Sequence, residues 1–325
     1  MIKFSELKNQ ARIPLKDAIP LSAPFTIFIE PTNLCTFRCT MCPHSLKDYA
    51  KQAGYHQLMP ITLYRKVIAD IAALGGCKSL CLWFDGEPLI HPDIGEMLKL
   101  GRTVTQRLTL TTNASLLTED RAQEIIDAEV DYVKVSIYGI SQKAHERTTG
   151  NKNEKFSVDH IRNNVFRLRI MRDEQNKKRP YIAANMLARD EWQEFVDRYK
   201  NVADEVVPIN LVSWGSDLIS VSVVTGQIKA CPHPFYTLVV RANGEVVPCA
   251  VAWSRDLIIG DVNKETLSEI WNGEKMKSLR EMHLAGRRNE VSGCIGCTNL
   301  FESKPIDSVD SVTVEEYNRR LKGTS

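Results

Sequence analysis

Three cysteines fall within eight residues in "CTFRCTMC", Cys35, Cys39 and Cys42, with the spacing C-x3-C-x2-C. Thiolates converging from one tight loop can bind three irons of a [4Fe–4S] cube and leave the fourth iron open to another ligand. Catalytic zinc also keeps an open position, commonly with histidine among its ligands, and His44 lies close by. Three unligated thiols in one exposed loop would invite oxidation instead. A second set, Cys231, Cys249, Cys294 and Cys297, has the spacing C-x17-C-x44-C-x2-C. Four thiolates close a metal site. A zinc ribbon usually shows two C-x2-C knuckles and here there is one, so zinc is the less favoured occupant. Cys77 and Cys81 remain, and read first as small core hydrophobes.

The elements that must position these thiols alternate. Strand patterns at 25–30, 79–84, 107–112, 132–138, 181–187 and 205–212 are each followed by a helical pattern. Among the helices, "ITLYRKVIADIAALG" has Thr62 as N-cap and Gly75 as stop. Thr118 caps "TEDRAQEIIDA", and Asp190 with Gln193 resembles a capping box. Strands alternating with helices predict parallel pairing through right-handed crossovers. Six units are too few for a closed eight-fold barrel. The fold class expected is α/β, a partial (βα)6 TIM-like barrel or an open sheet, with ligands at the C-terminal strand ends. The rhythm breaks near residue 215. "FYTLVVRANGEVVPC" is a hairpin around Asn243-Gly244 with Cys249 at its end. "TLSEIWNGEKMKSLREMHLAG" then reads as helical and leads to the last cysteine pair. The expected organisation is an N-terminal extension over 1–24, the barrel over 25–215, a small cysteine-bearing domain over 216–304 and a loose polar tail over 305–325.

At this point the sequence resembles the radical S-adenosylmethionine (SAM) superfamily, on "IEPTNLCTFRCTMCPH" after the first strand and on matches at later strand ends. Met41 stands where that family usually has an aromatic residue. "DGEPL" resembles its GGEP motif in Gly86, Glu87 and Pro88, with Asp85 replacing the first glycine. "TTNAS" resembles its TNG segment through Asn113, and "VSIYG" its SLDG segment through Ser136. The resemblance implies that the open iron chelates SAM, that Gly86, Glu87 and Pro88 accept from the SAM amino group, that Asn113 lies near the ribose, and that Ser136 and Arg147 hold the carboxylate. An arginine fork suits a carboxylate. The late segment resembles the twitch domain, a shortened SPASM domain, which implies one fully ligated auxiliary [4Fe–4S] cluster on Cys231, Cys249, Cys294 and Cys297. Cofactors expected are therefore SAM and two [4Fe–4S] clusters.

The resemblance further implies reductive cleavage of SAM to a 5′-deoxyadenosyl radical and hydrogen abstraction from a substrate carbon. Loss of a second electron to the auxiliary cluster gives oxidation, as in the aminocyclitol dehydrogenases of this layout. Hydrogen return from a thiol such as Cys81 gives an epimer. A small polar, sugar- or aminocyclitol-like substrate is favoured over a peptide, because the roughly 25 residues before the first strand are too short for a leader-recognition domain. A peptide-modifying maturase is the alternative, and a non-catalytic iron–sulfur carrier or sensor the alternative of another class. His56, His91, Trp83 and Tyr138 are further candidates for the site mouth. A flavodoxin- or ferredoxin-type donor is the expected reductant. With 42 basic and 40 acidic residues, nothing argues for nucleic acid or an anionic membrane surface. No apolar window is long enough to span a bilayer and no signal peptide is present, so a cytoplasmic setting is expected.

Overall fold

Four-residue apolar runs need hydrogen-bonded neighbours on both sides, and among the described residues a nine-stranded sheet supplies them. The computed structural model describes residues 12–187, 191–209, 229–298 and 305–323. In chain order the strands are β1 (Thr26–Ile29), β2 (Ser79–Leu82), β3 (Leu108–Thr112), β4 (Tyr132–Ser136), β5 (Tyr181–Leu187), β6 (Glu205–Ile209), β7 (Thr237–Val240), β8 (Glu245–Val247) and β9 (Gly260–Asp261). The α-helices are α1 (Leu15–Ala18), α2 (Tyr49–Ala53), α3 (Ile61–Ala73), α4 (Ile94–Arg102), α5 (Glu119–Asp127), α6 (Gln142–Thr149), α7 (Val158–Glu174), α8 (Trp192–Tyr199), α9 (Leu267–Asn272), α10 (Glu274–Leu284) and α11 (Val314–Gly323).

The sheet order is β6-β5-β4-β3-β2-β1-β7-β8-β9. β1 to β6 pair in sequence and in parallel, the α/β partial barrel expected from the alternation. The last predicted strand is seen to Ile209; its remainder and the boundary near residue 215 lie outside the described residues. The late hairpin does not form a sheet of its own. β7 pairs in parallel with β1, Thr26 opposite Thr237 and Ile29 opposite Val240, and β8 and β9 follow antiparallel. Pairing covers the free edge that β1 would otherwise present. The two cysteine segments thus depart from neighbouring strands.

Side chains alternate across the strands. Ile27, Ile29, Leu80, Leu82, Leu108, Leu110, Val133 and Val135 are fully buried. Leu80 and Leu108 meet Gly101 of α4, so this set faces the helices. The other set, Phe28, Cys81, Trp83, Thr109, Lys134 and Asn185 among it, lines the inner face, and its continuation beyond the strands carries the site.

Several local expectations are corrected. The N-cap of α3 is Pro60, not Thr62, because the chain leaves Pro60 in an extended conformation that enters the helix directly. Thr118 does cap α5, accepting from the Arg121 N–H. Asp190 lies outside the described residues, and Glu191 stands at the start of α8 without a side-chain cap. The helical run 266–286 is two helices, broken at Gly273, which is extended (ψ 161°). Thr266 and Glu269 form a complete capping box for the first. The tail is not loose over 305–323. Tyr317 of α11 is buried edge-on against Phe235, 5.9 Å between ring centres, with Leu15, Ile19, Val309 and Val312 around it. Arg320 donates to the carbonyls of Lys16 (2.7 Å) and Ile19 (3.0 Å). Its sequence looked polar because only one face of α11 is covered. No helix among the described residues is long and apolar enough to cross a membrane.

Candidate functional site

The cysteine loop leaves β1 and is held at both sides. Asn33 donates to the Tyr55 carbonyl (2.8 Å) and accepts from the Gln57 N–H (2.8 Å). The N–H groups of Arg38 and Thr40 donate to the carbonyls of Thr149 (2.9 Å) and Thr148 (2.8 Å) at the end of α6. Phe37 is the loop's apolar anchor, buried edge-on against Tyr138, His145 and Phe156. Cys35, Cys39 and Cys42 are free thiols. Burial, and the Glu87 carboxylate beside it, pushes Cys35 up to about 11. Cys39 is raised well above the usual thiol range by burial and by Cys42 and Cys35, and Cys42 likewise by burial. Thiols so crowded and desolvated become thiolates only beside a cationic centre, which fits an iron–sulfur occupant. Among the described residues no three His, Cys, Asp or Glu side chains converge on a single-ion position. A cube spreads its thiolates over different irons, so such convergence is not required for it.

The strand-end residues meet this loop. Gly86 is held under it so closely that a β-carbon would fall 2.7 Å from the Leu34 carbonyl oxygen and closer still to that of Thr32. Neither is a side chain that can swing away. Gly86→Ala is therefore expected to displace the loop, at a cost of about 1–3 kcal/mol or more; the urea midpoint and the iron retained after reconstitution read both effects. The Glu87 N–H donates to the Leu34 carbonyl (2.8 Å). Its carboxylate faces inward, accepting from Thr112 Oγ1 (2.6 Å) and from the N–H groups of Asn113 (2.7 Å) and Leu89 (3.1 Å). Burial pushes Glu87 up to about 7, opposed by those three donors. The Glu87 side chain thus ties β2 to β3 and leaves only its backbone for a ligand, while Pro88, buried, starts the following 3-10 turn. Asn113 donates to Thr36 Oγ1 (3.0 Å) and lies 3.8 Å from the Cys35 sulfur. Arg147 is exposed on α6 and lines a small cleft with Met41, Ile137, Tyr138 and Met186. Ser136 hydrogen-bonds Tyr138 beside it. His91 is not at the mouth: its ring is spent on the Met59 carbonyl (2.8 Å) and the Asp93 N–H (3.1 Å). His56 is exposed, and Trp83 packs edge-on against Phe28 on the inner face. A wider depression of about 640 Å³, lined by Gly75, Gly76, Lys78 and Thr105 among others, opens at the opposite, N-terminal ends of the strands. In such folds that end serves stability.

The four late cysteines lie near one another. The thiol of Cys231 is raised by burial and by Cys249, Cys297 and Cys294 together, so all four are neighbours. Cys249 is pushed up to about 12 and Cys294 to about 11, burial first in each case. His283 of α10, absent from the sequence reading, sits among them. Its Nδ1 accepts from the Cys231 N–H (3.2 Å), so Nε2 carries the proton and faces the Cys294 sulfur at 3.6 Å. Arg288 donates to the carbonyls of Cys294 (3.0 Å) and Cys297 (3.3 Å).

Between the two sets lies a buried polar network that the sequence reading also missed. Glu30, fully buried at the end of β1, accepts from the Ala242 N–H (2.9 Å) and the Tyr55 hydroxyl. Tyr49 O–H donates to Asp85 Oδ2 (3.2 Å). Arg241 spends all five of its donors: on Tyr55 Oη (3.0 Å), Glu245 (3.3 Å), and the carbonyls of Ser254 (3.3 Å), Ala53 (3.4 Å) and Trp253. Burial raises Glu30, and burial plus the neighbouring Glu30 raises Asp85 further. Two buried acids beside one guanidinium disfavour the ionisation of both together. The available signal was a charged residue ending each apolar run, "FTIFIE" and "TLVVR".

Two family models match the chain: the radical SAM superfamily over residues 29–167 and the SPASM iron–sulfur cluster-binding domain over 231–298. A curated relative, the S-adenosyl-L-methionine-dependent 2-deoxy-scyllo-inosamine dehydrogenase of Niallia circulans, is 23% identical over 278 residues, covering 84% of this chain and 92% of its own. Among solved structures, BtrN in complex with AdoMet and 2-DOIA superposes with a TM-score of 0.59 at 20% identity, covering 85% of this chain and 93% of that one. Streptococcus suis SuiB bound to precursor peptide SuiA superposes with a TM-score of 0.63 at 16% identity, covering 92% and 78%.

Proposed function

Because the chain is a radical SAM protein with a C-terminal SPASM domain, we propose that it cleaves SAM reductively and oxidises a small polar substrate. The pairing of an open thiol triad with a closed thiol tetrad carries this reading. Cys35, Cys39 and Cys42 would hold an iron–sulfur cube with one iron left for SAM, and that group would supply the electron for reductive cleavage of SAM and so the radical chemistry at a substrate carbon. Cys231, Cys249, Cys294 and Cys297 would hold a second cube with no position left open, which would suit it to electron transfer.

The chain's own groups bind and orient. The backbone at Gly86, Glu87 and Pro88 faces the SAM amino group, Asn113 the ribose, and Ser136 with Arg147 the carboxylate. Trp83, Phe28 and the strand side chains beneath them exclude water from the inner face. The low potential required comes from a flavodoxin- or ferredoxin-type donor, in a cytoplasmic setting.

Near-full-length similarity to a 2-deoxy-scyllo-inosamine dehydrogenase supports a sugar- or aminocyclitol-like substrate and a dehydrogenase outcome. Two alternatives have their own support. Cys81, buried with Ser79 Oγ 3.8 Å from its sulfur, is a candidate hydrogen donor for epimerisation. The likeness to SuiB, solved with a precursor peptide, supports a peptide maturase.

Deuterated substrates separate them. Oxidation predicts deuterium in 5′-deoxyadenosine from an aminocyclitol or sugar, with a ketone product that Cys81→Ala leaves unchanged. Epimerisation predicts solvent hydrogen at the inverted carbon, lost in Cys81→Ala. Deuterium arriving only from a peptide would overturn the small-substrate reading.

A further inference from the structure

A line of three rings crosses from one thiol set toward the other. The His44 ring stacks on Tyr49 at 4.0 Å between centres and 30° between planes. Tyr49 in turn stacks on Trp253 at 6.0 Å and 21°. All three are buried, at 2%, 5% and 3% exposure. Each end is joined to a cysteine. The Cys42 sulfur accepts from the His44 N–H. The Cys249 sulfur accepts from the N–H of Ala252, the residue bonded to Trp253. The route from sulfur to sulfur therefore consists of covalent bonds, two N–H···S hydrogen bonds and two ring-to-ring steps.

Packing alone does not account for its composition. The His44 ring makes no well-formed hydrogen bond, the backbone of Asp85 being the polar group nearest to it. A buried polar atom left unpaired costs roughly 1–3 kcal/mol, so an apolar ring would fill the same space more stably. The stack is also clamped. Arg241 donates both to the Ala53 carbonyl, at the end of the helix that carries Tyr49, and to the Trp253 carbonyl. Tyr49 is fixed about its own axis by the bond to Asp85.

Given the two-cluster reading above, we propose that the His44–Tyr49–Trp253 stack is the electron path between the two thiol sets. One electron leaves a reduced [4Fe–4S]+ centre on the tetrad, supplied there by the substrate radical as it is oxidised, and reaches an oxidised [4Fe–4S]2+ centre on the triad. No bond breaks, no proton moves and no ring is itself oxidised; the rings only shorten the gaps the electron must cross. These are positioning residues, since none holds substrate or SAM.

The test follows electron redistribution rather than turnover. Reconstituted protein is photoreduced with less than one electron per chain, frozen at intervals and examined by electron paramagnetic resonance. The two signals are assigned with Cys39→Ala and Cys294→Ala. Tyr49→Phe keeps the ring and is expected to equilibrate at the wild-type rate. Tyr49→Leu and Trp253→Leu, at wild-type iron content, are expected to slow it by roughly tenfold or more, because a void has no atoms on one side to bridge it. Trp253→Phe, which keeps a ring in the gap, gives an intermediate rate and serves if a leucine variant loses iron. Unchanged rates in the leucine variants, or a Phe variant slowed as much as a Leu one at position 49, would overturn the path. A wild-type protein whose two centres exchange no electron would overturn the path and the electron-transfer role of the tetrad alike, while leaving SAM cleavage standing.

Discussion

Cys39→Ala is expected to abolish 5′-deoxyadenosine formation while the chain stays folded and keeps roughly half of its iron and sulfide. Cys39 is the best-buried thiol of the triad, 6% exposed, and its backbone carbonyl accepts from the Cys42 N–H at 2.8 Å, so the loop turns around it. Two remaining thiolates cannot hold three irons. The small methyl group that replaces the sulfur sits in a loop still anchored by Phe37 and by the hydrogen bonds from Arg38 and Thr40. The loss should therefore be chemical rather than conformational. Cys294→Ala gives the complementary result: the other half of the iron is lost, SAM cleavage survives, and net oxidation of substrate fails. Iron and sulfide counts on the two variants check this. A wild-type count that either variant leaves unchanged would remove that thiol set from the account.

The second large effect is expected at Arg241. Its side chain is fully buried, bonded to Tyr55 and close enough to Glu30 and Asp85 to oppose the rise that burial imposes on them. Desolvation makes such a group costly to keep and still more costly to remove. Arg241→Met leaves Glu245, the Tyr55 oxygen and the carbonyls of Ala53, Ser254 and Trp253 without this donor, and Glu30 and Asp85 without the cation beside them. The expected destabilisation is about 3–5 kcal/mol, the range for breaking a buried ion pair from one side. The double change Arg241→Met with Glu30→Gln removes the guanidinium together with one of the buried acids facing it and should recover part of that loss, since part of the penalty lies in uncompensated buried charge. Urea unfolding of the two variants reads the difference. Equal losses in single and double variant would mean that Arg241 acts by its carbonyl bonds alone. The position also matters beyond stability. Arg241 joins the end of α2 to β8 and to the chain after it, so its removal loosens the join between the triad side and the tetrad side.

Much of this was legible in the sequence because it is written locally. The C-x3-C-x2-C spacing, the strand–helix rhythm, the Thr118 cap and the Asn243-Gly244 turn, with Gly244 at φ +91°, all appear as short patterns. Other features depend on partners far along the chain. Nothing local in "TLVV" announces that it pairs in parallel with β1 some two hundred residues earlier. The helix α2 is five residues long, too short to show a period, yet it delivers Tyr49 between His44 and Trp253. Glu30, Arg241 and His283 were passed over because a lone charge or imidazole in a sequence reads as surface. Only the fold shows that each is buried against the groups that satisfy it. The tail differs for the converse reason: α11 is polar on average and buries little beyond Tyr317, so its composition reads as a solvated segment. Gly273 could be read as a helix interior glycine until the capping box at Thr266 and the extended backbone at 273 divided the run.

The central claim is that the triad holds an open cluster that cleaves SAM. The most direct measurement is anaerobic reconstitution with iron and sulfide, followed by SAM and a strong reductant, with 5′-deoxyadenosine and methionine quantified by mass spectrometry. The account predicts both products in equal amounts from the wild-type chain and none from Cys39→Ala. A fully loaded wild-type protein that yields no 5′-deoxyadenosine, with or without aminocyclitol, sugar or peptide present, would contradict it and leave an iron–sulfur carrier in its place.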